Sequence, residues 1–142
     1  MIENRSVPRA SVIPELAYPD VAEAADWLCR AFGFMMRLRI GNHRAQLVYR
    51  DGAVVVIELG EAHSDSKAAS STHAVLMRVE DADAHCAHAA ENGAQILRPP
   101  ADYPYGERQY TAVDPGGHHW TFSQSIADID PASWGGTPVS VD

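Results

Sequence analysis

Hydrophobic and polar positions along this chain alternate between two periods, and the changes of period come in the same order twice. Val21, Ala24, Ala25, Leu28, Ala31 and Phe32 recur at helical spacing and predict a helix with one apolar stripe. Asp20 is placed to cap its start, Glu23 completes a capping box three residues on, and Gly33 supplies the stop. A mixed, extended stretch at residues 11–18 precedes the helix. Pro14 within it cannot donate to a ladder, so this strand is expected at a sheet edge or to begin late. Three strands are predicted after the helix, at 34–40, 45–49 and 53–59. Asn42 lies between the first two and an Asp51-Gly52 hairpin turn between the last two.

Residues 60–71 are small, polar and charged, which is linker composition. The pattern then restarts with a strand at 72–79, an alanine-rich helix capped by Asp81 and ended by Gly93, and strands at 95–97, 109–113 and 119–123. Asp114-Pro115-Gly116-Gly117 forms the turn before the last strand. Subtraction exposes the repeat: Asp20 to Asp81 is a shift of 61, Gly33 to Gly93 a shift of 60, and Ile57-Glu58-Leu59 to Trp120-Thr121-Phe122 a shift of 63. The fold class is therefore read as α+β, with two tandem βαβββ modules forming a cupped mixed sheet and the helices on the outer faces. An arm (1–10), a first module (11–59), a linker (60–71), a second module (72–124) and a tail (125–142) are expected to make one structural domain. Strand alternation places Trp120 and Phe122 against the helix and His119, Thr121 and Ser123 on the cup face; by the repeat, Glu58 joins that face with Val54 and Val56.

Composition narrows the function. The chain has 142 residues, 46% of them hydrophobic and 21% charged, which suits an ordinary globular protein. A net charge of −8 with scattered basic residues speaks against a nucleic-acid partner, because phosphate contacts need clustered Lys and Arg. No apolar run approaches the ~20 residues of a membrane span, and the first residues lack the apolar core of a secretory signal. Cys29 and Cys86 both fall within predicted helices and read as buried free thiols, so a reducing, cytoplasmic location is expected.

The segment Pro104-Tyr105-Gly106-Glu107-Arg108-Gln109-Tyr110, with Val113-Asp114-Pro115-Gly116-Gly117-His118-His119-Trp120-Thr121-Phe122, resembles the end of a glyoxalase-like module. Val79-Glu80-Asp81 leading to Asn92-Gly93-Ala94 carries the same resemblance. The chain is thus similar, over about residues 11–124, to the glyoxalase/bleomycin-resistance/extradiol-dioxygenase (vicinal oxygen chelate) superfamily. That resemblance implies one of two chemistries. Glyoxalase I, extradiol dioxygenases, epimerases and fosfomycin-resistance transferases use a divalent metal, whereas bleomycin-binding proteins sequester a drug without one.

The resemblance also implies where metal ligands would lie, on the first and last strands of each module. Seven residues before the capping Asp20 and Asp81 stand Ile13 and Ala74, and the last strand carries Thr121; only Glu58 matches. His73 is one place from Ala74, an offset that turns a strand side chain to the opposite face. No metal and no other cofactor is therefore expected, and a divalent metal at Glu58 would have to recruit His119, His73 or Glu15.

The leading expectation is a small-molecule-binding protein whose cup is lined by Glu58, His119, Thr121, Arg78, Tyr105 and Arg108. Glu58 and His119 are also the candidate catalytic residues. Arg78, Arg108 and His119 are the available partners for the Glu58 carboxylate, and Arg108 has a second role open to it in pairing with Asp102, Glu107 or Asp114. The alternative is a metal-dependent lyase, isomerase or dioxygenase with a displaced metal site; a third class is an accessory dimer with a filled cup. His118 is expected to finish the turn through backbone hydrogen bonds, and His85, Cys86 and His88 to lie on a solvated helix face. Trp134 in the polar tail is expected to dock on its own subunit or on a partner, and the resemblance implies a homodimer.

Overall fold

The computed structural model describes residues 1–60 and 72–140. Residues 61–71 of the expected linker and the last two residues of the expected tail lie outside the described residues. The first module runs β1 (Glu15–Tyr18), α1 (Val21–Phe32), β2 (Met35–Ile40), β3 (Arg44–Tyr49) and β4 (Gly52–Glu58). The second runs β5 (Val75–Arg78), α2 (Ala82–Glu91), β6 (Gln95–Tyr103), β7 (Glu107–Val113) and β8 (His119–Ser125), and a 3-10 turn, Pro131–Trp134, follows in the tail. Each module makes a four-stranded sheet with the same topology, β1-β4-β3-β2 and β5-β8-β7-β6. In both, the first strand pairs with the last in parallel and the other pairs are antiparallel. Two tandem βαβββ modules of an α+β fold are thus in place.

Local chemistry explains the elements. The Asp20 side chain accepts from Glu23 N and the Asp81 side chain from Ala84 N, satisfying donors that the first helical turns leave free. Gly33, at φ +90°, ends α1 in a left-handed conformation that a side chain would strain, and its N–H bonds Cys29 O. Val21, Ala25, Leu28 and Phe32 form the buried stripe of α1, which packs chiefly on β3 and β4. Fully burying a side chain the size of Leu28 or Phe32 contributes about 2 kcal/mol each. The second helix buries only Ala82 and Ala89 completely. Pro14 precedes β1, which starts late at an edge as its ring demands. The strand expected at 95–97 instead continues to Tyr103 through Pro99 and Pro100; it is an edge strand, and its two register shifts absorb the missing donors.

The modules share one core. Phe32 at the end of α1 meets Trp120 and Phe122 of β8, with ring centroids 5.2 and 4.7 Å away, and Phe34 meets Trp120 at 5.6 Å. The helices also touch: Trp27 Nε1 donates to Asn92 O (2.7 Å), and His88 Nε2 donates to Arg30 O (2.7 Å). The solvated helix face expected for His85, Cys86 and His88 is corrected for His85; His88 is exposed. His85 is half-buried among Phe32, Tyr110 and Phe122, donating from Nε2 to Phe32 O while Nδ1 accepts from the Tyr110 hydroxyl. Both cysteines are free and half-buried, and burial pushes each thiol up, so neither is an activated nucleophile. Among the described residues, no helix is long and apolar enough to cross a membrane.

The tightest bond between modules is polar. Asp114, buried at the end of β7, accepts from the Tyr18 hydroxyl and Trp120 Nε1 (3.0 Å) on one oxygen, and from Gly116 N (2.9 Å) and His118 N (3.0 Å) on the other. Burial, then the charge of Asp114, raise the Tyr18 pKa far above its ordinary value, so the phenol stays a donor. His118 also crosses the junction, donating from Nε2 to Ala17 O (2.8 Å). We expect Asp114→Ala to cost roughly 3–5 kcal/mol by denaturant unfolding, because several buried donors lose their acceptor, and Tyr18→Phe about 1–2 kcal/mol.

A pH dependence follows from His85. Burial, with a smaller contribution from the charge of His88, lowers its pKa in the folded state, and the bond to Phe32 only partly opposes this. Its contribution to stability is therefore complete above the unfolded value of about 6.5 and declines as pH falls below it. Unfolding free energies measured at pH 7.5 and 5.5 should fall with acidification, and His85→Gln should flatten that slope.

Candidate functional site

Strand pairing fixes which side chains the uncovered sheet faces carry. Leu16 stands opposite Val56 and Met77 opposite Phe122. Leu16 to Met77 is the 61-residue shift of the helix caps, so Val56 corresponds to Phe122, a shift of 66. The shift of 63 expected for the last strand is corrected accordingly: Val55 is the mate of Thr121, and Glu58 that of Gln124. A three-residue error is odd, so it exchanges the two faces of a strand. Val54 and Val56 belong to the helix-covered core, and Glu58 follows their parity at the end of β4. Glu58 therefore does not line the uncovered face. It is exposed and pairs with His43 at 3.0 Å, not with Arg78, Arg108 or His119.

On the second sheet the alternation is as expected. Trp120 and Phe122 are fully buried toward α2, while His119, Thr121 and Ser123 point to the uncovered side with Leu76 and Arg78 of β5 and Thr111 and Gln109 of β7. A one-directional chain of hydrogen bonds crosses that face. The Tyr105 hydroxyl donates to Gln109 Oε1 (3.1 Å), Gln109 Nε2 to Ser123 Oγ (3.0 Å), and Ser123 Oγ to Glu107 Oε1 (2.7 Å). Burial works to raise the Glu107 pKa, but hydrogen bonds from Ser125 and Ser123 and the Arg78 charge outweigh it and hold the carboxyl below its ordinary range. Among the described residues, the side chains of His119, Thr121 and Thr111 have no hydrogen-bond partner, and Leu76 is 64% exposed beside them. This face thus presents two hydroxyls, an imidazole and an apolar side chain, flanked by a guanidinium.

Arg108 falls on the other side of β7, with the parity of Tyr110 and Ala112, which corrects its place among the ligand-binding residues. It pairs with Asp102 (2.7 Å) and Asp83 (3.0 Å), tying β6 and β7 to α2. Tyr105 sits at one end of the face, stacked on Tyr103 (centroids 5.5 Å) and touched by Trp134 (5.2 Å). The tail thus docks on its own chain.

The equivalent face of the first sheet is covered. Arg37 Nη2 donates to Arg5 O (2.9 Å) and Gln46 Nε2 to Ser6 O (2.8 Å), which draws the N-terminal arm across β2 and β3. That arm was expected only as a polar extension, and nothing in its short, aperiodic sequence announces the contact.

These registers also test a metal of the type the sequence resemblance implies. The four positions carry Ile13, Ala74, Val55 and Thr121, one hydroxyl and no imidazole or carboxylate. Glu15, a substitute donor, pairs with Arg44 at 2.5 Å, and His73 is exposed with its Nδ1 3.3 Å from Thr72 Oγ1. Among the described residues, no group of three His, Cys, Asp or Glu side chains could hold a metal ion. The residues present do not fit the superfamily's metal.

Known proteins agree with this architecture. Similarity to TioX from Micromonospora sp. ML1 covers 81% of this chain and 98% of that one, at 39% sequence identity and a TM-score of 0.67. TnmS3, an antibiotic binding protein from Streptomyces sp. CB03234, has the same fold at 23% identity and a TM-score of 0.66, over 84% of this chain and 98% of that one. An uncharacterized protein of Mycobacterium tuberculosis, Rv0887c, is 23% identical over 82% of this chain and 75% of its own length. Residues 11–122 match the Glyoxalase/Bleomycin resistance protein/Dioxygenase superfamily, and the chain belongs to it.

Proposed function

We propose that this protein binds a small organic molecule on the uncovered face of its second sheet, without the metal that the superfamily's enzymes use. The observation that carries this is the cluster of unpartnered, half-buried polar groups, His119, Thr121 and Thr111, on the sheet face away from α2 beside the exposed Leu76. Hydroxyls and imidazoles left without internal partners are free to bond a ligand, and a rigid sheet holds them in place. Arg78 and Tyr105 bound the face and would orient the ligand. The antibiotic binding of TnmS3, which shares the fold, supports sequestration over catalysis. His119 stands alone as a titratable group among the unpartnered ones, which does not make an acid–base pair.

A thermal-shift screen against small organic compounds should yield ligands whose affinity Thr121→Val reduces about fivefold and Thr121→Trp abolishes. Unchanged affinity in Thr121→Trp would place the site elsewhere. Stoichiometric zinc, nickel, manganese or iron in tag-free protein would overturn the metal-free reading.

We also propose a cytoplasmic homodimer. Both β1 and β5 are edge strands with one unpaired side, and Met35 and Ile40 expose apolar surface that a second copy would cover. Light scattering at micromolar concentration should return twice the mass of the chain; a monomer would defeat this.

A further inference from the structure

We infer that the uncovered-type face of the first sheet is a binding site for a proline-bearing peptide segment, and that the chain's own residues 5–8 fill it. The internal repeat sets up the comparison. Val55 corresponds to Thr121, Gln46 (opposite Val55) to Thr111 (opposite Thr121), and Ala53 to His119. The three residues of the second sheet are partly open to solvent. Their mates are not: Ala53 and Val55 are 6% exposed and Gln46 is 7% exposed, although α1 lies on the opposite side of the sheet. Ala53 and Val55 are also absent from the hydrophobic core cluster, so something other than the core covers them.

The arm lies against this face at Gln46, which stands opposite Val55. Gln46 Nε2 and Arg37 Nη2 donate to two successive backbone carbonyls, Ser6 O and Arg5 O, while Arg37 Nη1 donates to Gln46 Oε1 (2.6 Å) and so fixes the amide's orientation. Pro8, two residues on, is buried between the exposed Val7 and Arg9. Donors that read carbonyls, beside a buried proline ring, recognise a peptide backbone more than any one side chain. Asn4 shapes the segment itself, its Oδ1 accepting from Ser6 N (3.0 Å).

Among the described residues the attachment to the sheet is slight, two hydrogen bonds and one buried ring, so the arm is a displaceable strap. Tethering holds it in place, because a short linker maintains an effective concentration in the millimolar range. One module's face is therefore closed by the chain's own peptide and the other stays open. This inference stands on the geometry of the first sheet and does not depend on what the second sheet binds.

The test uses the full chain and a fluorescein-labelled peptide with the sequence of residues 1–10, followed by polarization. Pro8→Gly in the protein should loosen the tethered arm and let the free peptide bind at least about tenfold more tightly than to the wild-type chain. Adding Val55→Arg should abolish that binding. Equal binding to both chains, or binding that survives Val55→Arg, would overturn the inference. Because Val55→Arg is the variant most prone to misfold, a second measurement relies on Gln46→Ala. Trypsin cleavage after Arg5 and Arg9, read by mass spectrometry, should quicken about fivefold in Gln46→Ala at unchanged circular dichroism, and an unchanged rate would equally refute the strap.

Discussion

The rest of the structure depends on one buried carboxylate. Asp114 gathers donors from the other module (Tyr18), from the neighbouring strand β8 (Trp120) and from the turn that follows it (Gly116, His118). A charge in that position is stable only while it is fully hydrogen-bonded, so the junction has one permitted geometry. Around it the aromatic rings of Phe32, Phe34, Trp120 and Phe122 join the two modules in one core, to which α2 contributes only the fully buried Ala82 and Ala89. The Asp-Pro-Gly-Gly turn is thus a joint between modules as well as a hairpin connection.

Once the junction is set, the sheets differ in what they leave uncovered. Duplication supplies two equivalent faces, but His119, Thr121 and Thr111 on one correspond to Ala53, Val55 and Gln46 on the other. The polar set is partly exposed and unpartnered. In the more apolar set, Gln46 holds the arm through Ser6 O. Among the described residues, neither face gathers three His, Cys, Asp or Glu side chains able to hold a metal ion.

Several parts of this were legible beforehand because they follow from local chemistry. Asp20, Asp81 and Gly33 announce the helix ends through donors and backbone conformations that few residues satisfy. Alternation in His119-Trp120-Thr121-Phe122 is strong, so the faces of β8 could be read directly. In Val54-Val55-Val56-Ile57-Glu58 there is no alternation, and the face of Glu58 was misassigned until pairing with β1 settled it. His85 and Arg108 were misplaced for a related reason. A polar residue on a short amphipathic element reads as solvated or ligand-facing, and only its distant partners, the Phe32 carbonyl and Asp83, show otherwise.

The sequence by itself determined the order of elements, their duplication, the superfamily and the lack of ligand residues at Ile13, Ala74 and Thr121, because caps, turns and periodicity act over a few residues. Tertiary structure alone decided the 66-residue register of the last strands, the partners of Asp114 and His85, and the path of the arm across the first sheet. Each of these joins groups far apart in the chain, such as Gln46 to Ser6 or Tyr18 to Asp114, and no local pattern encodes a contact at that separation.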